Sequence, residues 1–355
     1  MKLAFKRDFD DAARMWDSFW KGENKRPIAR FVLPKEGVEQ PEAPSLYMDG
    51  FDDGNFGPGL DKLVKWAGTR DYIGDAMPFY YIDFSPDTMA AYLGCDLKRS
   101  ASVTETAWSV PFVKDWDDVD IKFDRSNYWW RRTIEWAEIA KSKLYGKMLI
   151  APICLCANLD VLAAMRGIEN LLIDLLECPD KIRRALKLVG DAHDEMMLEF
   201  SRLLEFDKYG SINLEGFYAT GAMNRPQCDM SCMISPETFR EFVAPALKRE
   251  GARFSGMVYH LDGPGALQHV EALCEIDELN LITWVPGAGN TEKDWTWLYE
   301  KIYRLGKGMA RHIADKEVIF DICRKRGPRG LCFSTDVSSK MEAECFIADL
   351  EKASA

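Results

Sequence analysis

The chain has 355 residues, with 46 Lys and Arg against 57 Asp and Glu, a formal net charge of −11. Hydrophobic residues make up 47% and charged residues 29%. A chain of this length buries roughly three-quarters of its extended surface on folding, so the disordered, collagenous and low-complexity classes are excluded. The acidic balance repels phosphate backbones and anionic membranes, which argues against a nucleic-acid or membrane partner.

Residues 1–26 read as an N-terminal helical extension. Its first ten residues are basic with no apolar core behind them, which is not a signal peptide, so a cytoplasmic location is expected. Apolar, β-rich runs follow at Ile28 to Leu33, Phe79 to Phe84, Lys147 to Cys154 and Ser211 to Glu215. Four more lie at Gly256 to His260, Asn280 to Trp284, Lys307 to Ile313 and Gly330 to Ser334. Residues 34–66 break the pattern: this Gly-, Pro- and Asp-rich stretch reads as a loop insertion, either a lid or a surface excursion. Between the strands, Ile168 to Leu204 carries a 3.6-period apolar stripe, with Pro179 opening a second helix. Ser235-Pro236-Glu237 is a helix start, with Ser as cap and Pro in the first turn. The most apolar stretch, Met148 to Met165, is interrupted by Pro152, Asn158 and Asp160, whereas a membrane span wants about 20 apolar residues. The ten Cys form no Cys-x-x-Cys pair and read as reduced, mostly buried residues.

Eight strands alternating with helices predict an α/β fold, a single (β/α)8 barrel over residues 1–355. The alternative is an open doubly wound sheet with a cap, but no Gly-rich phosphate loop follows an early strand. Barrel chemistry sits at the C-terminal ends of strands. That singles out Asp83, Asn158, Glu215, the pair His260 and Asp262, Trp284 and His312. His260 and Asp262 lie two apart on an extended segment and share a face, a pattern suited to metal ligation or acid–base work, or to a capped turn with a satisfied interior histidine. Glu215 closes an apolar run and needs a partner there. Cys228 and Asp229 follow the fourth strand. A Cys228 thiolate could join Glu215 or His260 on a zinc ion, or be an inert buried residue. Tyr218, Tyr259, Trp284, Trp129 and Trp130 are either an aromatic pocket or core.

Several stretches together resemble the uroporphyrinogen decarboxylase superfamily. These are Lys147 to Asp180, Met233-Ile-Ser-Pro-Glu-Thr-Phe-Arg-Glu-Phe-Val-Ala-Pro245, Val258-Tyr-His-Leu-Asp-Gly263 and Phe79 to Gly94. The resemblance covers most of the chain from about residue 70 and implies a distorted (β/α)8 barrel. The Arg-Gln-Ala-Gly-Arg signature of the true decarboxylases is missing: the corresponding place reads Lys25-Arg-Pro-Ile-Ala-Arg-Phe-Val-Leu-Pro34. The chain is more similar to the cobalamin-dependent methyltransferase branch, which holds zinc through a His-x-Cys pair and a later Cys. The His matches His260. Asp262 stands at the Cys of the pair, and Cys332 lies a few residues before the place of the later Cys, near Val337.

The resemblance implies transfer of a methyl group between a small O- or N-methyl compound and a corrinoid protein. His260, Asp262, Glu215 and His312 are the catalytic candidates. Asp83, Asn158, Tyr218, Asp229, Tyr259 and Trp284 are the substrate-binding candidates, and His260, Glu215, Cys228 and Cys332 the metal ligands for Zn²⁺. Cobalamin is expected on a separate corrinoid partner, and a homodimer is compatible with the family. The rivals are a metal-free decarboxylase or lyase acting on a carboxylated molecule, with Arg225 or Arg311 as its cationic group, and a non-catalytic ligand-binding barrel.

Overall fold

The computed structural model describes residues 3–46, 50–100 and 106–354. All eight predicted runs form strands, and five further strands join them. In chain order they are β1 (Ile28–Pro34), β2 (Arg70–Gly74), β3 (Phe79–Tyr81), β4 (Asp96–Arg99), β5 (Ala107–Val110), β6 (Leu149–Ala151), β7 (Ser211–Ile212), β8 (Tyr218–Ala219), β9 (Met223–Asn224), β10 (Gly256–Asp262), β11 (Leu281–Val285), β12 (Gly308–His312) and β13 (Leu331–Ser334). The central sheet has seven strands in the order β2-β1-β13-β12-β11-β10-β9. Every pairing in it is parallel except β1 with β2. A parallel pair β3-β6 and the antiparallel pairs β4-β5 and β7-β8 stand apart from it.

The fold is therefore mixed α/β with a mostly parallel sheet, as expected, but the hydrogen-bonded ladder does not close into the expected eight-membered ring. A local cause is visible at β7. Asn213 Oδ1 accepts the backbone N–H groups of Glu215 and Phe217, both at 3.0 Å, and Gly216 takes φ +76° in the turn. The chain folds back on itself there, and Glu215 lies on this turn instead of at a strand end.

Inward side chains of seven strands nevertheless meet in one apolar cluster: Ile28, Leu149, Ile212, Met223, Val258, Leu281 and Cys332. The N-terminal helix Phe9–Trp20 seals one end of it. Phe9, Ala12, Trp16 and Phe19 form its buried stripe, the spacing of one helical face. Trp16 Nε1 donates to the Asp75 carbonyl at 2.9 Å, and Trp20 Nε1 to the Tyr218 carbonyl at 2.7 Å. Burying an aromatic of this kind contributes about 1.5–3 kcal/mol, so this helix is part of the core. The β1-β2 hairpin is locked by Asp75, which takes Arg26 at 2.6 and 2.9 Å and the Ala29 N–H at 2.9 Å.

The second half of the insertion at 34–66 packs into the core, while residues 35–46 lie at the surface. Its residues 47–49 lie outside the described residues. The stretch runs into the helix Gly57–Gly68, and Phe51, Phe56, Leu60 and Leu63 are buried in the largest core cluster. Phe56 stacks on Trp136 at 4.5 Å between ring centroids. Burial in this cluster removes the four large apolar side chains from water. The predicted helical region divides at Cys178 into Ile168–Glu177 and Pro179–Leu203. The Ser235 cap forms as expected, its Oγ accepting the Thr238 N–H at 3.2 Å. No helix among the described residues is long and apolar enough to cross a membrane.

Candidate functional site

The main cavity, about 810 Å³, opens beyond the C-terminal ends of β3, β6, β7 and β9. Parallel pairing of Tyr81 with Ala151 aligns the first two of these ends. Tyr81 and Asp83 come from the segment leaving β3, Cys154 and Cys156 from that leaving β6, and Arg225, Gln227 and Asp229 from that leaving β9. Trp108 and Ser109 of β5 and the Gly167–Asn170 corner form the rim.

Local bonds fix these segments. Asn158 caps the helix Leu159–Arg166, its Oδ1 accepting the Asp160 N–H at 3.0 Å while Nδ2 donates to the Gln227 carbonyl at 2.7 Å. Asp160 accepts the N–H groups of Asp229 and Met230 at 2.8 and 2.9 Å, tying the two walls together. The buried Glu250 carboxyl takes the Ala157 N–H at 2.7 Å from behind. The Cys154 N–H donates to Tyr81 Oη at 3.1 Å. The Cys154 and Cys156 sulfurs are 3.9 Å apart, and Cys154 Sγ stands 3.0 Å from the Arg225 carbonyl oxygen. Cys156 pulls the Cys154 thiol below its ordinary pKa against burial, with Arg225 adding to the pull, whereas the carbonyl oxygen favours the protonated thiol that can donate to it.

Burial sets the acid–base character of the wall. It lifts Asp83 to about 7, opposed only by the Ser85 backbone N–H. It also lifts Asp160 to about 7, with help from Asp229 and against the N–H groups the carboxylate accepts. Asp229 is raised as well, by burial and then by Asp262. Carboxyls that half-titrate near neutrality are suited to donate and take protons there.

Behind the Arg225 side of the cavity lies a second polar cluster. Glu215 Oε1 is 3.3 Å from His260 Nδ1, 3.5 Å from Arg225 Nε and 3.4 Å from Thr283 Oγ1. Arg30 Nη1 donates to the Glu215 carbonyl at 2.6 Å. Burial pushes the Glu215 carboxyl up, but His260, Arg225 and Arg30 outweigh it and hold the group below the ordinary carboxylate range.

Asp83 and Asp229 thus sit on the cavity wall where substrate-binding residues were expected. The other four substrate candidates do not. Asn158 is a cap, fully buried. Tyr218 is buried against the N-terminal helix, its hydroxyl donating to the Tyr209 carbonyl at 3.0 Å. Tyr259 is core, and Trp284 packs edge-on against Trp295 at 5.0 Å. Trp129 and Trp130 are core too. Of the catalytic candidates, Glu215 and His260 meet, and Asp262 is exposed at the end of β10, close enough to Asp229 to raise its pKa. His312 is at the surface with its side chain 54% exposed, paired with Ser334 Oγ at 3.2 Å and Asp336 at 3.8 Å.

The zinc set is not assembled. No group of three or more His, Cys, Asp or Glu side chains among the described residues is placed to hold a metal ion. Cys228 is buried against Asp160, and burial holds its thiol well above the ordinary value. Cys332 is buried beside Arg30, its thiol raised by the same cause. Two guanidinium groups already occupy the field of Glu215, where a divalent cation would be repelled. Of the rival cations, Arg225 lines the cavity, while Arg311 lies over the Tyr299 ring at 4.6 Å.

Cys154 and Cys156 stand after the third predicted strand in sequence but carried no assigned role there, and Tyr81, Asp160 and Gln227 were missed. The one available signal was Cys-x-Cys just after a strand, which puts two thiols on the same side of an extended segment.

No protein-family model matches the chain, and no curated protein matches it. Among solved structures the chain is similar to one described as a methyltransferase from Methanosarcina mazei, with a TM-score of 0.58 and 11% identity over 97% of this chain and 99% of that one. At this identity the likeness is one of fold, and it extends through nearly the whole of both chains.

Proposed function

We propose that the chain is a methyltransferase component that moves a methyl group between a small O- or N-methyl compound and a separate corrinoid protein. The observation that carries the reading is the position of the cavity: it lies at the strand ends of a fold shared end to end with a methyltransferase, and it holds a carboxyl that titrates near neutrality, Asp83. On this reading the strands are a distorted barrel whose ring is completed by side-chain packing instead of hydrogen bonds, which fits the inward cluster drawn from seven strands.

The chemistry asked of this chain is modest. The apolar wall, with Met89, Val161 and Met230, excludes water and positions the methyl compound. Asp83, protonated below about pH 7, gives its proton to the heteroatom as the carbon–heteroatom bond breaks, so that the leaving group departs neutral. Glu215 lies 3.3 Å from His260 Nδ1 and 3.5 Å from Arg225 Nε, placing a carboxylate between the two. A corrinoid on the partner protein would supply the cobalt that accepts or delivers the methyl group. Zinc has no assigned role, because the expected ligands do not converge. The test is incubation with cob(I)alamin and a panel of methyl ethers and methylamines, followed by the cobalamin absorption change. Methylation by the wild-type chain that is lost in Asp83→Asn supports the reading. No methylation from any donor refutes it.

The metal-free lyase remains as a second reading because of one observation, the buried Arg225 on the cavity wall. It predicts turnover of a carboxylic acid without cobalamin.

A further inference from the structure

Arg225 is the only basic side chain among the described residues that line the main cavity. Its side chain is 8% exposed, yet Nε and Nη1 have no hydrogen-bond partner. Nη2 gives one of its two hydrogens to Gln227 Oε1 at 3.2 Å. The nearest carboxylate, Glu215, lies 3.5 Å from Nε but also carries the field of Arg30, which donates to its backbone. Glu215 is thus turned partly toward His260 and Arg30, and the Nε and Nη1 hydrogens of Arg225 are left without an acceptor in a place largely removed from water. Buried charges are stable only when paired.

No other acid on the wall makes an ion pair with Arg225 among the described residues: Asp87 accepts the Ser109 N–H and hydroxyl at 2.8 Å each, and Glu169 is exposed at the rim. Asp160 is spent on two backbone N–H groups, and Asp229 accepts from Gln227 at 2.9 Å. Asp83 has no basic group within ion-pair distance among the described residues. The Cys154 sulfur faces the Arg225 carbonyl oxygen at 3.0 Å, a place for a thiol proton and not for a bare anion.

We propose that the cavity binds a small molecule bearing one carboxylate, and that Arg225 is its anchor. A planar carboxylate matches the end of a guanidinium through paired N–H···O bonds. A phosphate dianion would bring a second negative charge against Asp83, Asp160 and Asp229. At about 810 Å³ the cavity is of ligand size, and its apolar side, with Met89, Ala163 and Met230, takes the rest of the molecule.

The inference rests on reading this cavity as the substrate site, but not on methyl transfer. It is tested by binding, with acetate, benzoate and 4-methoxybenzoate each compared with its neutral amide by calorimetry on the full chain. At least one acid is expected to bind roughly tenfold or more tightly than its amide. Arg225→Gln is expected to abolish that preference while leaving amide affinity in place. Arg225→Lys, which keeps the charge but not the fork, is expected to retain only part of it. Equal affinity of acid and amide in all three pairs, no acid binding up to about 10 mM, or a preference that survives Arg225→Gln overturns the inference. Should Arg225→Gln fail to fold, an undiminished preference in Arg225→Lys overturns it equally. A chain that selects acids but moves no methyl group refutes the methyl-transfer reading alone. A chain that methylates cobalamin with no preference for acids refutes this inference alone.

Discussion

Asp83→Asn should stabilise the protein in alkaline solution and do little in acid. Burial lifts the Asp83 carboxyl from 3.8 to about 7. The native state therefore holds this proton over a pH range in which the unfolded chain has lost it. The favourable contribution of the neutral carboxyl is complete below about pH 4, drains away as pH rises, and is gone above about pH 7. The separation of the two values corresponds to about 4 kcal/mol, and contact with solvent at the cavity wall brings the expected effect to about 2–4 kcal/mol. Asn has nearly the same shape, can accept the Ser85 N–H and never ionises. At pH 8 the variant should therefore exceed the wild type by that amount, and at pH 5 by well under half of it. For 355 residues, an unfolding entropy of about 0.7 kcal/mol/K turns this into about 3–6 °C in Tm. Asp160, which also titrates near neutrality, is present in both proteins and cancels in the comparison. Thermal or urea melts of both proteins from pH 5 to 8.5 measure the difference directly. A difference that does not change with pH would refute the reasoning, since it would mean Asp83 is ionised throughout.

In the Proposed function, methyl transfer should slow as pH rises through about 7 and Asp83 loses its proton. A rate profile flat from pH 6 to 8.5 would remove Asp83 from the proton-donor role. Asp75→Ala leaves Arg26, whose side chain is 14% exposed, without its carboxylate and the Ala29 N–H without an acceptor. A loss of about 3–5 kcal/mol in urea unfolding is expected, and a loss below about 1 kcal/mol would contradict the role given to this pair. Gly74→Ala asks for a side chain at φ +64°, with its Cβ 2.5 Å from the Ala29 carbonyl oxygen. The β1-β2 hairpin must shift, and Tm should fall by several degrees. Prolonged treatment with a chelator should leave Tm unchanged, because the four zinc candidates are not assembled into a site. A clear drop that is restored by zinc would reopen the metal reading.

The extent of the strands was legible in sequence wherever a run of β-branched and aromatic residues is bounded by Gly, Pro or Asn, as at Ile28–Pro34 and Gly256–Asp262. The helix starts at Pro179 and Ser235 were legible for the same reason: a fixed φ and a short side-chain acceptor act within a few residues. The chemistry was less legible. His260 and Glu215 were both visible as polar groups at strand ends, and the structure brings them together at 3.3 Å. Whether a polar residue lines a cavity depends on which elements pack against it, and local sequence carries no record of that. Asn158 and Asp83 both follow strands, but one is consumed in capping a helix and the other is left on a wall.

By itself, then, the sequence determined the α/β alternation, the placement of the strands and the acidic balance, all of which come from interactions between near neighbours or from simple addition. Only the tertiary structure decided that the ladder stays open at β7, that Phe51, Phe56, Leu60 and Leu63 of the insertion go to the core, and that Cys228 and Cys332 are buried in different clusters. It also decided that Asp83 titrates near neutrality and that Arg225 is buried with unpartnered N–H groups. Desolvation and charge pairing are sums over everything within a few ångströms, and those neighbours come from strands up to 185 residues apart, as between Arg30 and Glu215.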